Sequence, residues 1–219
     1  QPIDHRADGT QAQKGTFEMR VFGYDKFVKP TKPSVHPGVI LFYAGNEGAI
    51  EGFYNNTGLP FEWAATDPAL QAVGVDIVFA EHRFYGKSRP CTAPDDDADD
   101  DDGSGVACLN LLTHEQALAD YVQLIDEMKS GTVDGLPGCS SSNCDGSPVI
   151  AFGGSYGGML AAWARMKYPA TFHGAISAVR LRLLFTQPLN MMHPNTTKTF
   201  ARTERAHPRL PGHRRPRRR

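Results

Sequence analysis

The sequence predicts an α/β protein built on a mainly parallel sheet, and three observations predict it. First, Val39-Ile40-Leu41-Phe42-Tyr43, Asp76-Ile77-Val78-Phe79-Ala80 and Pro148-Val149-Ile150-Ala151-Phe152 are short, mostly apolar runs without polar alternation. That is the pattern of strands covered on both faces. Second, helix-length patterns lie between these runs, and strands alternating with helices form parallel sheets through right-handed crossovers. Third, the last of these runs ends in a glycine-rich turn that opens another helical pattern.

Taken in order, residues 16–22 alternate, with Phe17, Met19 and Val21 on one face, which predicts an antiparallel-type strand. Pro30, Pro33 and Pro37 mark a loop, and the run 39–43 ends in the glycine-punctuated loop Ala44-Gly45-Asn46-Glu47-Gly48. A helix is expected over about residues 58–73, before the run 76–80. Thr113 and Gln116, three apart, have the form of a capping box. Leu118, Tyr121, Val122, Ile125 and Met128 follow at helical spacing, predicting a sheet-covering helix to about Lys129. Residues 131–147 read as a loop. After the run 148–152 a helix is expected over residues 156–168, stopped by Pro169, and a short strand begins at Gly174.

The chain has 219 residues and a net charge of −1, in which two extremes cancel. From Arg180 onward eleven Lys/Arg face the single Glu204, so the preceding residues carry −11. An acidic body argues against a nucleic-acid surface on the folded part. No apolar run approaches the ~18 residues that cross a bilayer, so a soluble protein without a membrane partner is expected. Residues 95–102 hold seven Asp and one Ala, which repel one another and predict a solvated, disordered insertion over 95–105. A calcium site is the sharper alternative, but the run lacks the spaced ligands, central Gly and terminal Glu of such a loop. The Arg-, Pro- and His-rich residues 180–219 predict a disordered basic tail, so the sequence divides into a core of residues 1–179 and that tail.

Cys91, Cys108, Cys139 and Cys144 flank loops, as candidate disulfide partners whose pairing the sequence leaves open. Asn55-Asn56-Thr57 and Asn195-Thr196-Thr197 are N-glycosylation sequons, and Asn55 is the candidate site within the core. Loop cysteines with a sequon favour a secretory route.

Gly153-Gly154-Ser155-Tyr156-Gly157 matches G-x-S-x-G, and its context carries more than its spelling. A buried strand precedes it and a helix follows, as a nucleophile elbow requires. The sharp turn needs tiny neighbours, which Gly153, Gly157 and Gly158 supply. A solvent-facing serine on an ordinary glycine turn is the bland alternative. The oxyanion of such a nucleophile needs two N–H donors: Tyr156 is the expected first, and Asn46, with Glu47 beside it, the expected second.

A serine nucleophile also needs a histidine base and an acid to orient it. His173, His193, His207 and His213 follow Ser155, but no aspartate does, and Glu204 is the one downstream glutamate. His173 comes too early for the usual base loop, and the others fall in the tail. The triad acid and base are therefore expected to be absent from this chain. His82 and His114 precede the serine and read as structural or loop residues. The chemistry calls for no cofactor and no metal.

These residues resemble the serine peptidase family that includes lysosomal Pro-Xaa carboxypeptidase and dipeptidyl peptidase II. The resemblance rests on residues 42–48, Asn55-Asn56-Thr57-Gly58, residues 78–88, Leu112-Thr113 with residues 115–120, and residues 153–163 running on to Lys167-Tyr168-Pro169. It implies an α/β-hydrolase core, nucleophile status for Ser155 and cleavage beside proline in peptide substrates. Ala161-Ala162-Trp163 lean toward the carboxypeptidase branch. It implies a lysosomal, vacuolar or secreted protein, and it leaves the oligomeric state open, with a homodimer as the family-like option. The family pattern continues well beyond the serine, so the chain reads as truncated after the elbow, with the helical cap domain and later strands missing and activity in doubt. Two other readings remain: a general esterase or lipase on the same fold, and a non-catalytic fragment whose basic tail binds an acidic partner.

Overall fold

The computed structural model describes residues 1–5, 15–28, 38–90, 109–133 and 146–178. The acidic run, the four cysteines, the Asn195 sequon, the 30–37 prolines and the 180–219 tail lie outside the described residues.

Five strands form one sheet in the order β1-β3-β2-β4-β5, namely β1 (Val21–Phe27), β2 (Val39–Ala44), β3 (Val75–Ala80), β4 (Val149–Gly154) and β5 (Gly174–Ala178). β1 runs antiparallel to β3, and every other pairing is parallel. The chain leaves β2 to one side for β3, then returns past it to β4. The switch point therefore lies between β2 and β4, where open α/β sheets place their sites beyond the carboxyl ends of the strands. This is the order of a mixed α/β-hydrolase sheet.

The antiparallel first strand is present but shifted from residues 16–22 to Val21–Phe27. Pairing with β3, from Val21 opposite Ala80 to Phe27 opposite Val75, sets its bounds. Strand propensity yields to such tertiary partners. Phe17 is still buried, and Met19 and Val21 pack on one core cluster, as the alternation predicts.

The single helix expected over residues 58–73 is instead two helices, α2 (Leu59–Thr66) and α3 (Pro68–Val73), and a further helix that the sequence reading did not expect, α1 (Ile50–Asn56), precedes them. Pro60 and Pro68 sit in first turns, where a missing N–H costs nothing. Asp67 ends α2 and caps α3, accepting from the N–H groups of Ala69 at 2.8 Å and Leu70 at 3.0 Å. α4 (His114–Ser130) ends on Gly131 at φ 72°, and α5 (Ser155–Lys167) follows β4 directly.

Thr113 Oγ1 accepts from Gln116 N–H at 3.3 Å, so half of the predicted capping box forms. The Gln116 side chain turns elsewhere, donating to Asp4 at 2.6 Å and accepting from the His5 N–H at 2.9 Å. Thr113→Ala is expected to lower stability by about 1 kcal/mol in denaturant titration, since the cap hydrogen bond is long and no apolar burial is lost.

The two faces of the sheet bury separate cores. Ile40, Phe42 and Val78 pack against Leu118, Tyr121 and Ile125 of α4 and Leu160 of α5. Leu41, Tyr43, Ile77, Phe79 and Phe152 pack against Ile50, Tyr54 and Ala64 of α1 and α2. Among the described residues, β5 pairs on one side only, leaving an open edge. Among them too, no helix is long and apolar enough to cross a membrane.

Candidate active site

β2 and β4 are paired in register, Tyr43 beside Phe152, so the loops beyond them emerge side by side. One loop is Gly45-Asn46-Glu47-Gly48, and the other is the turn into α5.

Ser155 has φ 52°, a left-handed value that L side chains adopt only under constraint. It follows extended Gly154 (φ −114°, ψ 155°) and is itself the first residue of α5. The reversal from strand to helix is thus completed within one residue, and the Ser155 side chain is exposed. The surrounding glycines are required by close approach. A Cβ on Gly153 would meet Gly157 C and O at 2.5 Å, and one on Gly157 would meet Ala44 O at 2.5 Å and collide with Asn46 Oδ1. The first turn of α5 has N–H groups without intrahelical partners, and the positive end of the helix dipole lies there. Tyr156 N–H is one of those groups.

Asn46 is buried and bridges the two loops through its side chain. Its Oδ1 accepts the Gly157 N–H, and its Nδ2 donates to the Tyr43 hydroxyl at 3.2 Å. Burial pushes the Tyr43 phenol up to about 12, the Asn46 contact acting against it, so it remains a neutral partner. Gly45 is pressed onto β3, where a Cβ would fall 2.7 Å from His82 N.

Glu81, His82 and Arg83 are all fully buried at the carboxyl end of β3. The Glu81 carboxylate accepts from Ile50 N–H, Lys87 N–H and Ser88 N–H, each at 2.9 Å, and from the Ser88 hydroxyl at 2.7 Å. It therefore ties the end of the 45–49 loop to the 82–88 loop. Arg83 makes a two-point pair with Asp120, both contacts at 2.7 Å, inside a fully buried cluster. The same guanidinium donates to the carbonyls of Ile3 at 3.0 Å and Pro2 at 3.3 Å, and His5 Nε2 lies 2.7 Å from Asp120. This fastens residues 1–5 over the loop. Sequence reasoning missed this cluster, although three successive polar residues after an all-buried strand are its visible signal.

No described histidine serves Ser155. His82 has both ring nitrogens engaged, Nδ1 with Arg83 O at 2.7 Å and Nε2 with the Tyr156 hydroxyl at 3.1 Å. His5 is on Asp120. His114 lies against the Trp163 indole, ring centres 5.0 Å apart. His173 Nδ1 accepts from Val149 N–H at 3.2 Å, at the start of β4 and so at the opposite end of that strand from the serine. Among the described residues, no group of three or more His, Cys, Asp or Glu could hold a metal ion. Asn55 is exposed on α1.

A family model described as serine carboxypeptidase S28 matches residues 1–198. The chain belongs to the serine carboxypeptidase S28 family. The match reaches past Pro169, where the resembling segments in the sequence end. The lysosomal Pro-X carboxypeptidase of Homo sapiens is 44% identical over 178 residues, covering 81% of this chain and 30% of that protein. The putative serine protease pcp-1 of Caenorhabditis elegans is 41% identical, over 73% of this chain and 24% of its own length. The thymus-specific serine protease of Mus musculus is 34% identical, over 64% of this chain and 22% of its own. The chain thus spans less than a third of the length of these curated S28 relatives. Among solved structures, the epoxide hydrolase VrEH1 of Vigna radiata matches with a TM-score of 0.36 and 15% identity, covering 74% of this chain and 39% of that one.

Proposed function

We propose that this S28 chain is the nucleophile-bearing part of a serine exopeptidase that cleaves peptide bonds beside proline, in the manner of a Pro-Xaa carboxypeptidase. The observation that carries this reading is Ser155, exposed at φ 52° on the first turn of α5 between Gly153 and Gly157, neither of which admits a side chain. Ser155 Oγ attacks the carbonyl carbon of the scissile bond, losing its proton to a histidine base. The bond to the leaving group then breaks as that base returns the proton, and water hydrolyses the acyl-enzyme by the reverse sequence. Tyr156 N–H and an N–H of the Asn46 loop hold the oxyanion. The names of the relatives support the choice of substrate and a lysosomal location, and on a secretory route the exposed Asn55 sequon would be a glycan acceptor. Cys91, Cys108, Cys139 and Cys144 would pair as disulfides on that route.

Among the described residues no histidine is placed to deprotonate Ser155, so the test supplies a base. A fluorophosphonate probe is expected to label the 219-residue chain slowly, and added imidazole to accelerate that labelling. Ser155→Ala should reduce labelling to background, a loss of at least about 100-fold. Mass-spectrometric mapping to a different serine, or no labelling of Ser155 even with imidazole, would falsify the peptidase reading.

A further inference from the structure

We propose that His82 is a positioning residue whose imidazole anchors the Tyr156 hydroxyl and so fixes the Tyr156 N–H that faces the oxyanion. This rests on the peptidase reading above and adds to it a residue that the nucleophile motif does not contain.

The argument begins with proton placement. The Arg83 carbonyl can only accept, so the 2.7 Å contact from His82 Nδ1 requires the proton on Nδ1. Nε2 of the neutral ring is then an acceptor, and the Tyr156 hydroxyl donates to it at 3.1 Å. The rings meet at 5.5 Å between centres, and Tyr85 packs on the other ring contact of His82 at 5.3 Å. His82 itself is held rigidly, because Arg83 is locked by its buried two-point pair with Asp120.

Tyr156 is therefore held through its hydroxyl, tied to the end of β3. Its neighbour Gly157 is held through the backbone, tied to Asn46. The peptide group between Ser155 and Tyr156, which carries the Tyr156 N–H, directly precedes these two struts. Donors aimed at developing charge act only when their direction is fixed beforehand, and small misplacements are costly.

The surroundings of His82 favour the neutral ring that this role needs. Burial lowers its proton affinity. The Arg83 carbonyl, Asp120 and Glu47 act in the opposite sense, and the Arg83 charge adds to the lowering. The facing Tyr156 phenol is itself pushed up to about 12 by burial and by Glu47, Tyr85 and Glu115, so it keeps its proton to donate.

The test uses the full 219-residue chain with a fluorophosphonate probe and added imidazole, reading the rate at Ser155. His82→Leu is expected to slow labelling about tenfold, and His82→Gln, which restores an acceptor, to recover most of that loss. Tyr156→Phe removes only a half-buried hydroxyl and should slow labelling to a similar degree, with the double variant no slower than either single one. In parallel, nitrogen-15 histidine spectra should show His82 as the Nδ1–H tautomer, with an Nε2 resonance that moves in Tyr156→Phe. Additive losses, or an unmoved Nε2 resonance, overturn the proposal. If wild-type Ser155 does not label at all, the peptidase reading fails, and the spectra alone then decide whether the His82–Tyr156 anchor exists.

Discussion

Asp76→Asn is expected to stabilise the folded chain by several kcal/mol at pH 8.5 and to change it little at pH 4. Asp76 sits on β3, on the same face as Val78 and Ala80, and is 5% exposed. Neither carboxyl oxygen has a well-formed hydrogen bond. Burial disfavours the carboxylate most, the Asp25 carboxylate nearby disfavours it further, and the Ile77 N–H acts weakly in the opposite sense, raising the group on balance from 3.8 to about 8. The folded state thus binds a proton that the unfolded state has already released above pH 4. Its contribution is fully present below the unfolded value and is lost as pH rises toward 8, at about 1.4 kcal/mol per pH unit. The full span is on the order of 5 kcal/mol, taken as an upper bound because water can reach a strained site. Denaturant titrations of both proteins across this pH range measure it. A wild-type stability that is flat from pH 4 to 8, or that rises, would show that Asp76 is ionised and paired. A protein working in an acidic compartment meets no penalty from such a residue, which accords with the proposed location.

Gly157→Ala is expected to abolish probe labelling of Ser155, by about 100-fold or more, and to cost a few kcal/mol of stability. The added methyl would lie 2.5 Å from the Ala44 carbonyl oxygen and nearer still to Asn46 Oδ1. A backbone carbonyl at the paired carboxyl end of the central strand has little room to swing aside, so the elbow or the Asn46 loop must move. Either movement separates the two proposed oxyanion donors. Gly52→Ala is the matched control, because a methyl there meets nothing within 4 Å and the residue lies inside α1. That variant should label at the wild-type rate and gain roughly 0.5–1 kcal/mol from the lower helix cost of alanine. Equal labelling rates for Gly157→Ala and Gly52→Ala would contradict the close approach at the elbow.

Much of this molecule was legible in the sequence. The runs at 39–43, 76–80 and 148–152 became β2, β3 and β4 because a strand buried on both faces is apolar at nearly every position, Asp76 being the exception, a pattern that survives without knowledge of its neighbours. The elbow was legible for a related reason. Its glycines are demanded by local backbone collisions, and local demands appear locally in sequence. Helix bounds were less legible, since Pro60, Asp67 and Pro68 divide one amphipathic pattern into two helices and the periodicity is indifferent to that.

What the sequence by itself determined was therefore the layered α/β architecture and the tight glycine turn that carries Ser155, both written in short-range patterns of polarity and glycine. Only the tertiary structure decided which polar residues support it. Asn46 is separated from Gly157 by 111 positions, His82 from Tyr156 by 74 and Arg83 from Asp120 by 37. Hydrogen bonds are directional and short, so partners so distant in the chain become visible only when the strand order sets their loops together.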